Sequence, residues 1–87
     1  MLVVAITVYP SDFWDGDRPE PSPLIAGSQA AAAKMAAQYL REAYELDEWL
    51  DEETIELLMQ ATSYEAIKSW LNTYYCALTV TYNEVDL

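Results

Sequence analysis

The sequence predicts an α+β fold: two long terminal strands forming a small sheet, packed by about three helices, in a single compact domain. Three observations predict it. Residues 2–9 and the run approaching Tyr82 are rich in β-branched and aromatic residues at a two-residue period. Between them, apolar residues recur at helical spacing over residues 28–71. The chain has 87 residues, enough for one small domain that buries about 60–65 % of its unfolded surface.

The first strand is Leu2 to Tyr9. Leu2, Val4, Ile6 and Val8 point one way, and Val3, Ala5, Thr7 and Tyr9 the other. Both sides are fairly apolar, so the expectation is a central or well-covered strand ended by Pro10. Residues 10–27 hold four prolines and are expected to form a long loop. Ser28 is placed to cap a helix reaching about Glu45, with Ala32, Met35, Ala36, Tyr39, Leu40, Ala43 and Leu46 facing the core. Arg41 and Glu45 form an i, i+4 pair of modest value.

A second helix is expected from Asp51. Glu52 and Glu53 suit the positive end of its dipole, and Leu50 with Ile55 fits a hydrophobic staple. Thr62 and Glu65 fit a capping box for a third helix, whose buried stripe is Ile67, Trp70 and Leu71. Near Thr73 the period becomes alternating. Tyr74, Cys76, Leu78, Val80 and Tyr82 then share one side of the second strand. The two terminal strands are expected to pair, in a direction the sequence leaves open.

The net charge of −11 argues against direct nucleic-acid binding and against an anionic membrane surface. The run Leu2–Val8 has no basic leader and is too short to span a bilayer, so a cytoplasmic protein is the expectation. There is no His to serve as a general base or metal ligand. The single Cys76 sits in an apolar alternating run and is read as a core residue. No glycine-rich phosphate loop or nucleophile elbow is present. Asp12, Asp15 and Asp17 with Gly16 lack the spacing and closing Glu of a calcium loop, and no two acids single themselves out as a catalytic pair. No enzyme, metal or cofactor is expected.

The charge is concentrated. Residues 42–67 carry nine of the fifteen acids and no Lys or Arg. Asp51, Glu52, Glu53 and Glu65 are explained as helix starts, and acidity by itself aids solubility. Glu42, Glu45, Asp47, Glu48 and Glu56 are not caps. Acids near the negative end of the first helix repel one another and the dipole. Carboxylates one helical turn apart, about 5 Å, space themselves like phosphates on a nucleic-acid strand. Such a row fits a basic groove. Trp49 lies within it, and Phe13 and Trp14 lie among the loop acids. Each aromatic has two readings: Trp49 covers the core where two helices meet, or Trp49 anchors an interface. Phe13 and Trp14 pin the loop, or they also meet a partner. The candidate contacts are Glu45, Asp47, Glu48, Asp51, Glu52 and Glu56 with Trp49, supported by Asp12, Trp14, Asp15 and Asp17.

In size, charge and lack of catalytic residues, and in the Ser28–Gln38 helix that follows an N-terminal strand, the chain resembles small acidic phage-encoded inhibitors. These include anti-CRISPR and anti-restriction proteins, many of which mimic nucleic acid. The resemblance covers the general plan and no specific motif. It implies a basic nucleic-acid-binding partner and, for a phage-encoded protein, action in the host cytoplasm. Tyr9-Pro-Ser-Asp12 with Asp15 is similar to an acidic segment of immunity proteins that neutralise nuclease bacteriocins. That family is all-helical and carries the segment between helices, whereas here it follows a strand. A third possibility is an assembly protein, for instance a homodimer, that pairs through exposed strand edges.

Overall fold

A computed structural model describes all 87 residues. The elements run β1 (Leu2–Pro10), β2 (Ser22–Ala26), α1 (Gln29–Ala43), α2 (Leu46–Trp49), α3 (Glu52–Met59), α4 (Tyr64–Tyr74) and β3 (Leu78–Asp86). The α+β architecture is as expected, with one more strand and one more short helix than expected. The sheet order is β2-β1-β3, and both pairings are antiparallel. The terminal strands do pair, along the full length of β1, with Leu2 opposite Asp86 and Pro10 opposite Leu78.

The stretch 10–27 is not all loop, because β2 occupies its end. Pro23 lies within β2 opposite Thr7. A proline has no N–H to donate, so this is tolerated only because β2 is an edge strand. Ser22 is held from the helical side by a 2.8 Å hydrogen bond between its hydroxyl and that of Tyr39.

Val4, Ile6 and Val8 of β1 are buried under the helices, together with Leu78 and Val80 of β3. Ala32, Ala33, Ala36, Ala37 and Leu40 form the buried face of α1, where the small alanines let the helix lie close to the sheet. Ile55 and Leu58 of α3 and Ile67, Trp70 and Leu71 of α4 complete one core with no buried polar or charged residue. The Trp70 indole N–H donates to the Thr54 carbonyl at 2.9 Å and ties α4 to α3. Met35 and Ala43, expected in the core, are exposed, because the α1 stripe turns to Ala33 and Ala37 instead.

The caps refine the helix starts. Ser28 accepts from the Ala31 N–H and Asp51 from the Thr54 N–H, as expected. The cap of α4 is Ser63, which accepts from the Ala66 N–H, and not Thr62. Helix α4 continues to Tyr74, so β3 begins at Leu78 and not near Thr73. Cys76 therefore falls in the turn between them and is an exposed free thiol, not a core residue.

Only one side of the sheet is covered. The other side carries Val3, Ala5, Thr7 and Tyr9 from β1, Pro23 and Ile25 opposite them on β2, and Thr79, Thr81, Asn83 and Val85 on β3. Ile25 and Val85 are 55 % and 45 % exposed. β1 is the central strand of the sheet, as expected, and the helices cover it on one side alone. No helix is long and apolar enough to cross a membrane.

Candidate functional site

The acidic segment folds around a reversal of direction. Helix α1 ends at Ala43, with Tyr44 as its C-cap. Glu45 then takes a left-handed backbone conformation, φ 50°. Glycine usually holds this position just past a helix end. A side chain there costs about 1 kcal/mol or more because Cβ meets the following carbonyl. The kink starts α2 at once, with the Glu48 N–H donating to the Glu45 carbonyl at 3.0 Å.

This geometry brings Glu42, Glu45, Asp47 and Glu48 to the lining of one shallow recess of ≈ 420 Å³, shared with Gln38, Arg41 and Met59. Arg41 is the single base in it. Its guanidinium does not pair with Glu45, as the i, i+4 spacing suggested. It forks onto Asp47, with Nε and Nη2 each 3.1 Å from a carboxylate oxygen. That two-bond pairing holds the Arg41 pKa above its ordinary value, first through the hydrogen bonds and then through the charge of Asp47. Arg41 is thus committed within the chain, and Glu42, Glu45 and Glu48 form no ion pair with it. Glu42 accepts only a 3.3 Å hydrogen bond from Gln38.

The remaining predicted contacts divide. Glu52 adds to the field that raises the Arg41 pKa but does not line the recess. Glu56 and Met59 lie four and seven residues beyond Glu52, which places all three on one stripe of α3. The stripe reaches the recess at Met59. Asp51 serves the fold: its carboxylate accepts from the Thr54 N–H at 2.8 Å, and this bond lowers its pKa. Trp49, at the end of α2, is 71 % exposed. It does not cover the junction of helices; Leu46 and Leu50 do that, the first buried and the second half-buried.

The loop after β1 reaches the same corner through Trp14. Its ring stands edge-on to Tyr44, with centroids 5.9 Å apart. Tyr44 in turn stands edge-on to Tyr39 at 6.1 Å. Burial pushes the Tyr44 phenol up to about 12, with Tyr39 adding to the shift. The Trp14 indole N–H donates to the Asp17 carbonyl at 2.8 Å and closes the loop on itself. Asp15 and Asp17 are exposed on that loop. Asp12 instead lines a second shallow recess at the end of the sheet, with Phe13, Arg18 and Cys76. Phe13 is 75 % exposed and pins nothing.

Sequence reasoning missed Arg41, Gln38 and Met59 as members of the site. Arg41 and Asp47 are six residues apart, a separation that meets only across a chain reversal, so no helical period could have paired them. The exposed Leu57, 52 % accessible, was likewise not anticipated as a surface residue next to Glu56. No three acidic or thiol side chains converge to hold a metal ion. No family model, curated protein or solved structure matches the chain.

Proposed function

We propose that this chain is a non-enzymatic binding protein whose acidic corner blocks a basic nucleic-acid-binding partner. A phage-type inhibitor of a host defence complex, such as a CRISPR–Cas effector, is the setting that fits this chemistry. One observation carries the reading: a recess lined by four carboxylates whose single cation is already committed to Asp47, with an exposed Trp49 on the same short helix. Glu42, Glu45 and Glu48 present negative charge to whatever enters. Trp49 supplies an apolar anchor amid charges that steer a basic surface toward it.

The backbone at Glu45 supports the same reading. A left-handed glutamate holds about 1 kcal/mol of strain that glycine would relieve. Retaining a carboxylate there is intelligible where the carboxylate is used. Mutual repulsion of the recess acids works in the same direction.

Affinity capture tests the proposal. The tagged protein is offered lysates of bacteria carrying restriction and CRISPR systems, at low and high salt, with excess duplex DNA as competitor. Recovery of a nucleic-acid-binding complex that salt and DNA both displace agrees with the proposal. Recovery of such a complex that DNA leaves in place points to a block at another surface. Recovery of no basic partner at either salt contradicts it.

A further inference from the structure

We propose that the outer edge of β3, from Tyr82 to Asp86, receives an added strand: an extended basic segment of a protein partner. This edge lies at the Leu2 end of the sheet, whereas the loop that reaches the acidic corner leaves the Pro10 end, so it stands independently of that corner. The hydrogen-bond phase of the sheet locates the edge. The Leu87 N–H donates to the Met1 carbonyl at 2.7 Å, which continues the β1–β3 register by one pair. Bonded pairs alternate along an antiparallel ladder, so the odd-numbered residues of β3 bond to β1. Leu78, Val80, Tyr82, Glu84 and Asp86 therefore turn their N–H and C=O groups outward.

The first outward residues are already served from the helical side. The Leu78 N–H donates to the Tyr75 carbonyl at 3.3 Å, and the Val80 carbonyl accepts from the Tyr64 hydroxyl at 3.3 Å. Beyond Val80 that cover stops, and nothing else in the chain bonds the outward backbone groups of Tyr82, Glu84 and Asp86. The β2 edge is closed to the same use: its outward residues are Pro23 and Ile25, and Pro23 has no N–H. An unpaired row of backbone donors and acceptors takes another extended chain.

Charge selects the occupant. Glu84 and Asp86 stand two residues apart on the same side of β3. A strand with Lys or Arg at every second position meets both, and opposite charges across a strand pair attract. Glu84 has the larger share, because Asp86 also meets the Met1 ammonium at 3.3 Å. Small or β-branched residues between the bases lie beside Thr81, Asn83 and Val85 on the other side. A second copy does not fit. Two-fold pairing of residues 82–86 puts Glu84 directly opposite its own counterpart, and sliding the register toward Val80 meets the Tyr64 side chain that covers it. An acidic segment is repelled by the net charge of −11.

Amide-shift titration and hydrogen exchange test this, with an end-blocked pentapeptide alternating Lys and Val as the probe, up to about 5 mM. Saturating peptide should slow exchange at the Tyr82 and Glu84 N–H groups by about tenfold or more, while Thr81 and Asn83, already bonded to β1, keep their rates. The same peptide N-methylated throughout keeps its charge and loses its donors, and should bind about tenfold more weakly. Glu84→Lys should weaken binding of the unmethylated peptide by about fivefold or more. Should that variant fail to fold, the two peptides against the unaltered protein decide. Equal binding of the N-methylated peptide overturns the proposal, because charge alone then suffices. So do shifts confined to Glu45 and Glu48, or no binding at about 5 mM. Shifts at Tyr82 and Glu84 that follow protein concentration without peptide would make a second copy the occupant, and overturn it too.

Discussion

Trp14 meets Tyr44 edge-on, at 5.9 Å between ring centroids and 79° between planes, and so joins the acidic loop to the end of α1. The contact puts the loop that carries Asp15 and Asp17 beside the reversal that begins at Glu45. Replacing Trp14 by Ala should remove about 1–3 kcal/mol of stability, from the lost aromatic pair and its half-buried ring. Denaturant unfolding of the two proteins checks the value. The same variant should bind the partner less tightly, because the loop is no longer held at the corner.

Trp49 should behave in the opposite way. At 71 % exposure it contributes little to the core, so Trp49→Ala should change stability by less than about 0.5 kcal/mol. Affinity for the partner should fall by tenfold or more, about 1.4 kcal/mol or above. Unfolding curves and a binding isotherm on one preparation separate the two effects.

Glu45 offers a test with a trade-off. Glu45→Gly should raise stability by about 1 kcal/mol by relieving the left-handed backbone, while reducing affinity for the basic partner. A variant that is both more stable and equally tight would remove Glu45 from the site.

The caps give a purely structural check. Ser63→Ala should destabilise by about 1 kcal/mol, since it leaves the Ala66 N–H without its acceptor. Thr62→Ala should stay within about 0.5 kcal/mol. Thermal or chemical unfolding of both variants distinguishes them.

The pH dependence follows from Tyr44 and Tyr82 on the alkaline side and Asp51 on the acid side. The Tyr44 phenol has its pKa raised to about 12 by burial, above an unfolded value of about 10. Its neutral form is the one the fold favours, so its contribution is complete below pH ~10 and is lost as pH rises through about 12. Asp51 has a lowered pKa, first through its hydrogen bonding with Thr54. Its contribution is present above the unfolded carboxylate value and is lost as pH falls through the folded one. In stability measured across pH, Tyr44→Phe should make the alkaline drop smaller and keep the acid drop. The part due to Tyr82, whose phenol is raised first by its hydrogen bond with Glu84, should remain.

Strongly periodic segments were legible in the sequence. β1, the Ser28 cap, the Asp51 cap and the Ile67–Trp70–Leu71 stripe stand where patterning placed them. β2 was hidden because Pro21 and Pro23 disguise an edge strand as a loop. The start of β3 was misplaced because Tyr74 and Tyr75 suit either period, and Tyr74 in fact packs one turn after Trp70 on α4. Cys76 followed that error out of the core.

At the candidate site, composition located the acids and structure sorted them. Asp51 holds a helix start and Asp47 holds Arg41, so neither is free for mutation without structural cost. Glu45, Glu48 and Glu56 carry no such duty and form the cleaner test set.

Competition for the captured partner is the decisive measurement. The purified protein is titrated into that partner bound to labelled duplex DNA, beside the variant Glu45→Lys, Glu48→Lys, Glu56→Lys, with the fold of each verified by circular dichroism. If the acidic corner is the binding surface, the unaltered protein displaces the DNA, less effectively as salt rises, and the folded variant does not. Equal displacement by both proteins would contradict that assignment.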